Sequence, residues 1–136
     1  MGFFSKKIDY PELDAGNPAA EQVQEVEGPL KDLMSQVSDP LEVVPADGQA
    51  YVFIGKPPKK FGVARLAQGQ VESFIAVAKE KGLDQLSIQK LNEKFRDAYT
   101  QNMDAKRYKT SVGGKEVVVT PSIQLANEVS EIMNSM

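Results

Sequence analysis

Arg107-Tyr-Lys-Thr-Ser-Val112, Gly113-Gly114 and Lys115-Glu-Val-Val-Val-Thr120 are two β-rich runs joined by two glycines. Glycine supplies the positive φ angles that a two-residue turn needs, so this stretch predicts a β-hairpin. A hairpin pairs its strands antiparallel, and that directs the reading of the rest. Upstream, Leu41-Glu-Val-Val44 and Ala50-Tyr-Val-Phe-Ile54 flank Pro45-Ala-Asp-Gly-Gln49, with Asp47-Gly48 as the turn. A connection from Gly55 to Gly62 leads to a third run, Phe61 to Leu66, and Ala67-Gln68-Gly69 turns it into a fourth, Gln70-Val-Glu-Ser-Phe-Ile75. Beyond it, Lys79-Glu80-Lys81 favour a short helical turn that Gly82 would end, so residues 70–82 stay open between strand and helix.

Helical periodicity marks three further segments. Asn17-Pro18 reads as a cap and a first helical residue. Val23, Val26, Leu30, Leu33, Met34 and Val37 then recur at steps of three and four, with a break or kink expected where Gly28-Pro29 interrupts them. Ser87 is read as the cap of a helix whose face is Ile88, Leu91, Phe95, Ala98, Tyr99 and Met103. Thr120-Pro121 opens a last helix with the stripe Leu125, Ala126, Val129, Ile132, Met133 and Met136. The predicted class is α+β: an antiparallel sheet of five to six strands, a meander plus the C-terminal hairpin, packed with three helices.

Residues 17–136 read as one domain and residues 1–16 as a flexible tail, whose Phe3, Phe4, Ile8, Tyr10 and Leu13 could dock onto the body or a partner. Tyr51-Val52-Phe53-Ile54 and Val117-Val118-Val119 are apolar on both faces, which predicts central strands in a covered sheet. Three helices suffice for one face, so the other calls for a further helix, the tail or a second copy of the chain. That is the argument for a homodimer.

Composition bears on chemistry. The 136 residues contain no histidine and no cysteine. A serine–histidine–aspartate relay, an imidazole proton shuttle, a thiolate nucleophile and a thiolate metal site are therefore excluded. No cofactor and no metal is expected. The net charge of −3 gives no overall attraction to nucleic acid or anionic lipid. No run approaches about 18 apolar residues, so no membrane span is expected. The start, Met1-Gly2-Phe3-Phe4-Ser5-Lys6-Lys7, fits neither a secretory signal nor a myristoylation pattern, and the expected location is the cytoplasm.

The most distinctive local feature is the connection holding Lys56, Pro57, Pro58, Lys59, Lys60 and Phe61. It reads as a stiff loop presenting three cations to an acidic partner or to phosphates, or as a turn whose lysines block edge pairing. A phosphate loop is excluded: the glycine spacing is wrong, and two prolines delete N–H groups that would hold phosphate oxygens. Lys106, Arg107, Lys109 and Lys115 form a second basic cluster, with Tyr108 opposite Arg107 and Lys109 on a strand. Basic residues with one aromatic resemble a single-strand nucleic-acid footprint, but Glu116 and the acidic balance argue against it. Carboxylates are scattered. Two of Asp47, Glu72, Asp84 and Asp97 in one deep pocket would be the mark of a carboxylate-dependent enzyme.

The order α-βββ-α-ββ-α, the small size and the acidic pI resemble the outline of the type III secretion chaperones. That resemblance implies a dimer that binds an effector segment. The residues themselves point first to a non-enzymatic protein-binding or regulatory domain, with Lys56, Pro57, Pro58, Lys59, Lys60 and Phe61 as its partner-binding residues.

Overall fold

The computed structural model describes residues 10–136. The chain is α+β, in the order α1 (Pro18–Glu25), α2 (Glu27–Gln36), β1 (Leu41–Ala46), β2 (Gln49–Lys56), β3 (Lys60–Ala67), β4 (Gln70–Ser73), α3 (Phe74–Glu80), α4 (Gln85–Gln101), β5 (Tyr108–Val112), β6 (Lys115–Val119) and α5 (Ile123–Asn134). The six strands of the described residues share one sheet, ordered β4-β3-β2-β1-β6-β5.

The expected antiparallel sheet is in fact mixed. Each local turn makes an antiparallel pair, but β1 and β6 meet in parallel, with Glu42 opposite Val118 and Val43 opposite Val119. Turn chemistry fixes only the strands a turn joins. The β1–β6 seam closes across two intervening helices, so no turn sets its direction.

The described residues form five helices rather than three. Pro29 has no N–H to offer the Glu25 carbonyl, and the first helical run breaks at Val26 (φ −111°, ψ 17°) into α1 and α2. The fifth comes from the undecided segment. Ser73 ends β4, its hydroxyl accepts from the Ala76 N–H at 3.0 Å, and α3 follows. Phe74 and Ile75, expected in a strand, therefore lie in a helix. Similarly, Asp84 rather than Ser87 caps α4, accepting the Ser87 N–H at 2.8 Å. Ser122 caps α5, which begins two residues later than Thr120-Pro121 suggested.

The sheet has a core on each face. On one, Tyr51, Phe53 and Val63 pack with Phe74, Phe95, Tyr99, Leu125 and Val129 from α3, α4 and α5. Edge-on ring pairs fix the contact, Phe53 with Tyr99 at 5.0 Å and Phe74 with Phe95 at 4.9 Å. On the other, Val43, Val52, Leu66, Val117 and Val119 pack with Val23, Leu30 and Leu33 from α1 and α2. Both faces are thus covered within one chain, which removes the ground on which a second copy was inferred.

Of the N-terminal segment, Pro11 and Leu13 run beside β5: the Lys109 N–H donates to the Pro11 carbonyl at 2.9 Å, and the Leu13 N–H donates to the Lys109 carbonyl at 2.8 Å. Phe3, Phe4 and Ile8 lie outside the described residues. No helix among the described residues is long and apolar enough to cross a membrane.

Candidate functional site

The loop picked out by its prolines and lysines closes the β2–β3 hairpin, whose last pair is Lys56 with Lys60. Two devices hold it. Gly55 adopts φ +114°, where a Cβ would come within 2.8 Å of the Lys60 carbonyl oxygen, so the position requires glycine. Arg96 of α4 reaches across: its Nε donates to the Pro58 carbonyl at 2.7 Å and its Nη2 to the Lys59 carbonyl at 3.2 Å. The Arg96 guanidinium also lies over the Phe61 ring, 5.6 Å from its centre, and pairs with Glu93 one helical turn back. The Pro57–Pro58 peptide bond is cis. Lys56, Lys59 and Lys60 are exposed, and none of them makes a salt bridge among the described residues.

Phe61, half-buried against Phe53, leads from this loop into an open groove of about 560 Å³. Its apolar lining is Phe61, Phe74, Ile75, Leu86 and Ile88. Ile75 is 46 % exposed and Leu86 59 %. Each is the second residue of its helix, α3 or α4, placed off the buried stripe. A second groove of about 390 Å³ also touches Phe61, lined by Ile54, Gly62, Lys56, Lys60, Pro40 and Asp39. The structure therefore keeps the six loop residues together and adds Ile75 and Leu86, which the sequence reading missed. Leu86 left one signal: three and four residues further on stand Gln89 and Lys90, so this leucine sits on a polar helical face.

A different set of charges is shut inside the fold. Glu42 points from β1 into the core under α4, beside Val44. Its carboxylate accepts from the Tyr99 hydroxyl at 2.7 Å, the Arg107 Nε at 2.9 Å and the Thr120 hydroxyl at 2.6 Å. Arg107 also donates to the carbonyls of Met103 and Ala105, each at 3.0 Å, and lies over the Tyr99 ring at 5.1 Å. Burial, and then the Glu42 carboxylate, push the Tyr99 phenol well above its usual range. Among the described residues no buried side-chain nitrogen or oxygen lacks a partner. The network ties β1, α4 and the two ends of the β5–β6 hairpin together, and it leaves no open base or acid.

This burial dissolves the second basic cluster. Arg107, expected beside Lys109 on an accessible strand, is only 8 % exposed and faces inward. The four carboxylates that could have marked an enzyme are also apart. Glu72 pairs with Arg65 at 2.7 Å, Asp84 caps α4, Asp97 lines a groove between α4 and α5, and Asp47 lines another beside Pro45 and Pro121. No group of three or more aspartates or glutamates capable of holding a metal occurs among the described residues. No family model matches this chain, and neither a curated protein nor a solved structure does.

Proposed function

We propose that this chain is a non-enzymatic protein-binding domain, and that its partner sits on the Lys56–Lys60 loop and the adjoining groove. One observation carries the reading. Ile75 and Leu86 are large apolar side chains exposed in the same groove, beside Phe61, at the foot of a loop bearing three lysines that make no salt bridge among the described residues. Scattered exposed apolar residues are ordinary, whereas a grouped patch with a polar rim is the usual form of an interaction site. The loop is also held in advance by Gly55 and Arg96, so less freedom is lost when a partner binds. Binding rather than turnover has further support in the separation of Asp47, Glu72, Asp84 and Asp97 and in the closed hydrogen bonding around Glu42. A nucleic-acid surface has less, since Arg107 is taken up by the core.

The test is selection of peptides from a random display library on the immobilised chain. The selected peptides are expected to compete for one site and to lose binding on Leu86→Glu, with the thermal midpoint retained. A library that enriches nothing, or peptides indifferent to Leu86→Glu, would remove the proposal.

A further inference from the structure

Resting on that reading, we infer that the partner is an extended acidic segment, added as a short strand to the uncovered half of β3. β3 runs from Lys60 to Ala67, but β4 pairs only with Ala64 to Ala67. Among the described residues, 60–63 thus have β2 on one side and no strand on the other. The direction of their free groups follows from the turn. Gln68 and Gly69 form a two-residue connection, which makes Ala67, and by alternation Arg65, the residues whose main chain faces β4. Continuing at period two, Phe61 turns its N–H and C=O to the same open side. The chain leaves the sheet after Ser73, α3 begins at Phe74, and among the described residues no strand extends β4 alongside residues 60–63.

The two grooves lie on either side of this bare edge. Phe61 and Val63 point to the face of α3 and α4, where the groove holding Ile75 and Leu86 opens. Gly62 points to the opposite face, where a Cβ would meet nothing within 4 Å, and there it lines the groove with Ile54, Lys56 and Lys60. A strand laid along residues 60–62 would alternate its side chains between them. One face would receive apolar residues. The other, with two lysines against the single carboxylate of Asp39, favours acidic ones, as does exposed Lys59 in the same loop. Main-chain pairing would supply part of the affinity and the grooves the selectivity.

The experiment uses the same selection with peptides of roughly ten residues, enough for one strand. The expected peptides alternate apolar and acidic residues. Replacing a single peptide N–H by N-methyl is expected to weaken binding by about tenfold at one position and hardly at its neighbours, the pattern of one lost main-chain hydrogen bond. Gly62→Glu, which the open space tolerates, is expected to keep the thermal midpoint and weaken the same peptides. Selected peptides with apolar residues at helical spacing, or binding indifferent to every N-methyl substitution, would overturn strand addition while leaving the binding domain in place. Peptides indifferent to both Leu86→Glu and Gly62→Glu would overturn both.

Discussion

Glu42 and Arg107 are buried with their polar atoms matched, whereas Lys56, Lys59 and Lys60 stand exposed without counter-ions among the described residues. Both regions gather charge close to aromatic rings, and an arginine binds main-chain carbonyls in each. In the first, Arg107 closes a cage around a carboxylate. In the second, Arg96 braces a loop from behind and leaves its cations facing out. The difference teaches that local charge says little about use. What matters is whether the surrounding fold satisfies a charge or leaves it available.

Removing a charge should therefore have unlike consequences in the two places. Glu42→Ala is expected to have the largest effect, about 3–5 kcal/mol of lost stability in urea unfolding, because Arg107 would remain buried without its partner. A loss below about 1 kcal/mol would mean that the network does not fasten the hairpin to β1. Tyr99→Phe is expected to cost about 1.5–3 kcal/mol, the range for a hydrogen bond to a charged group.

Tyr99 also predicts a pH dependence. Well below pH 10 its hydroxyl is protonated in the folded and unfolded chain alike. As pH rises through about 10, the unfolded chain releases the proton while the folded chain, with its raised value, retains it. The unfolded state then binds fewer protons and stability falls as pH rises. The wild-type chain should lose stability above about pH 10 more steeply than Tyr99→Phe. Equal slopes would detach the Tyr99 proton from folding.

In the open region, Gly55→Ala is expected to cost about 1–3 kcal/mol through strain at φ +114° and the close Lys60 oxygen, since the loop is braced even though its lysines make no salt bridge among the described residues. The smallest effect belongs to the lysines themselves. Changing Lys56, Lys59 and Lys60 together to Ser should move stability by no more than about 0.5 kcal/mol while peptide binding falls. A larger destabilisation would place those cations with the structural charges and erase the contrast.

The same contrast explains what could be read before the fold was seen. The hairpins were legible because their chemistry is local: Gly48, Gly113 and Gly114 all adopt the positive φ that a tight turn needs. The proline–lysine loop was legible as an object for the same reason. Its brace was not, because Arg96 comes from a helix 38 residues further on. Glu42 was illegible as a core residue. Between Leu41 and Val43 it reads as the solvent side of an alternating strand, and its partners lie 57, 65 and 78 residues away. The parallel β1–β6 seam was hidden on the same grounds, as a contact that no turn encodes. Ile75 escaped because the Ser73 cap, two residues before it, converts strand into helix, a choice that periodicity over so short a run leaves open.

The most direct test of the open surface is an amide chemical-shift titration of the isotope-labelled chain with a selected acidic peptide. The expected result is saturable movement at Phe61, Gly62, Ile75 and Leu86, with Tyr99, Arg107 and Thr120 still. Movement centred on Lys106, Arg107 and Lys109, or around Ile123 at the start of α5, with the loop and groove unmoved, would contradict the account.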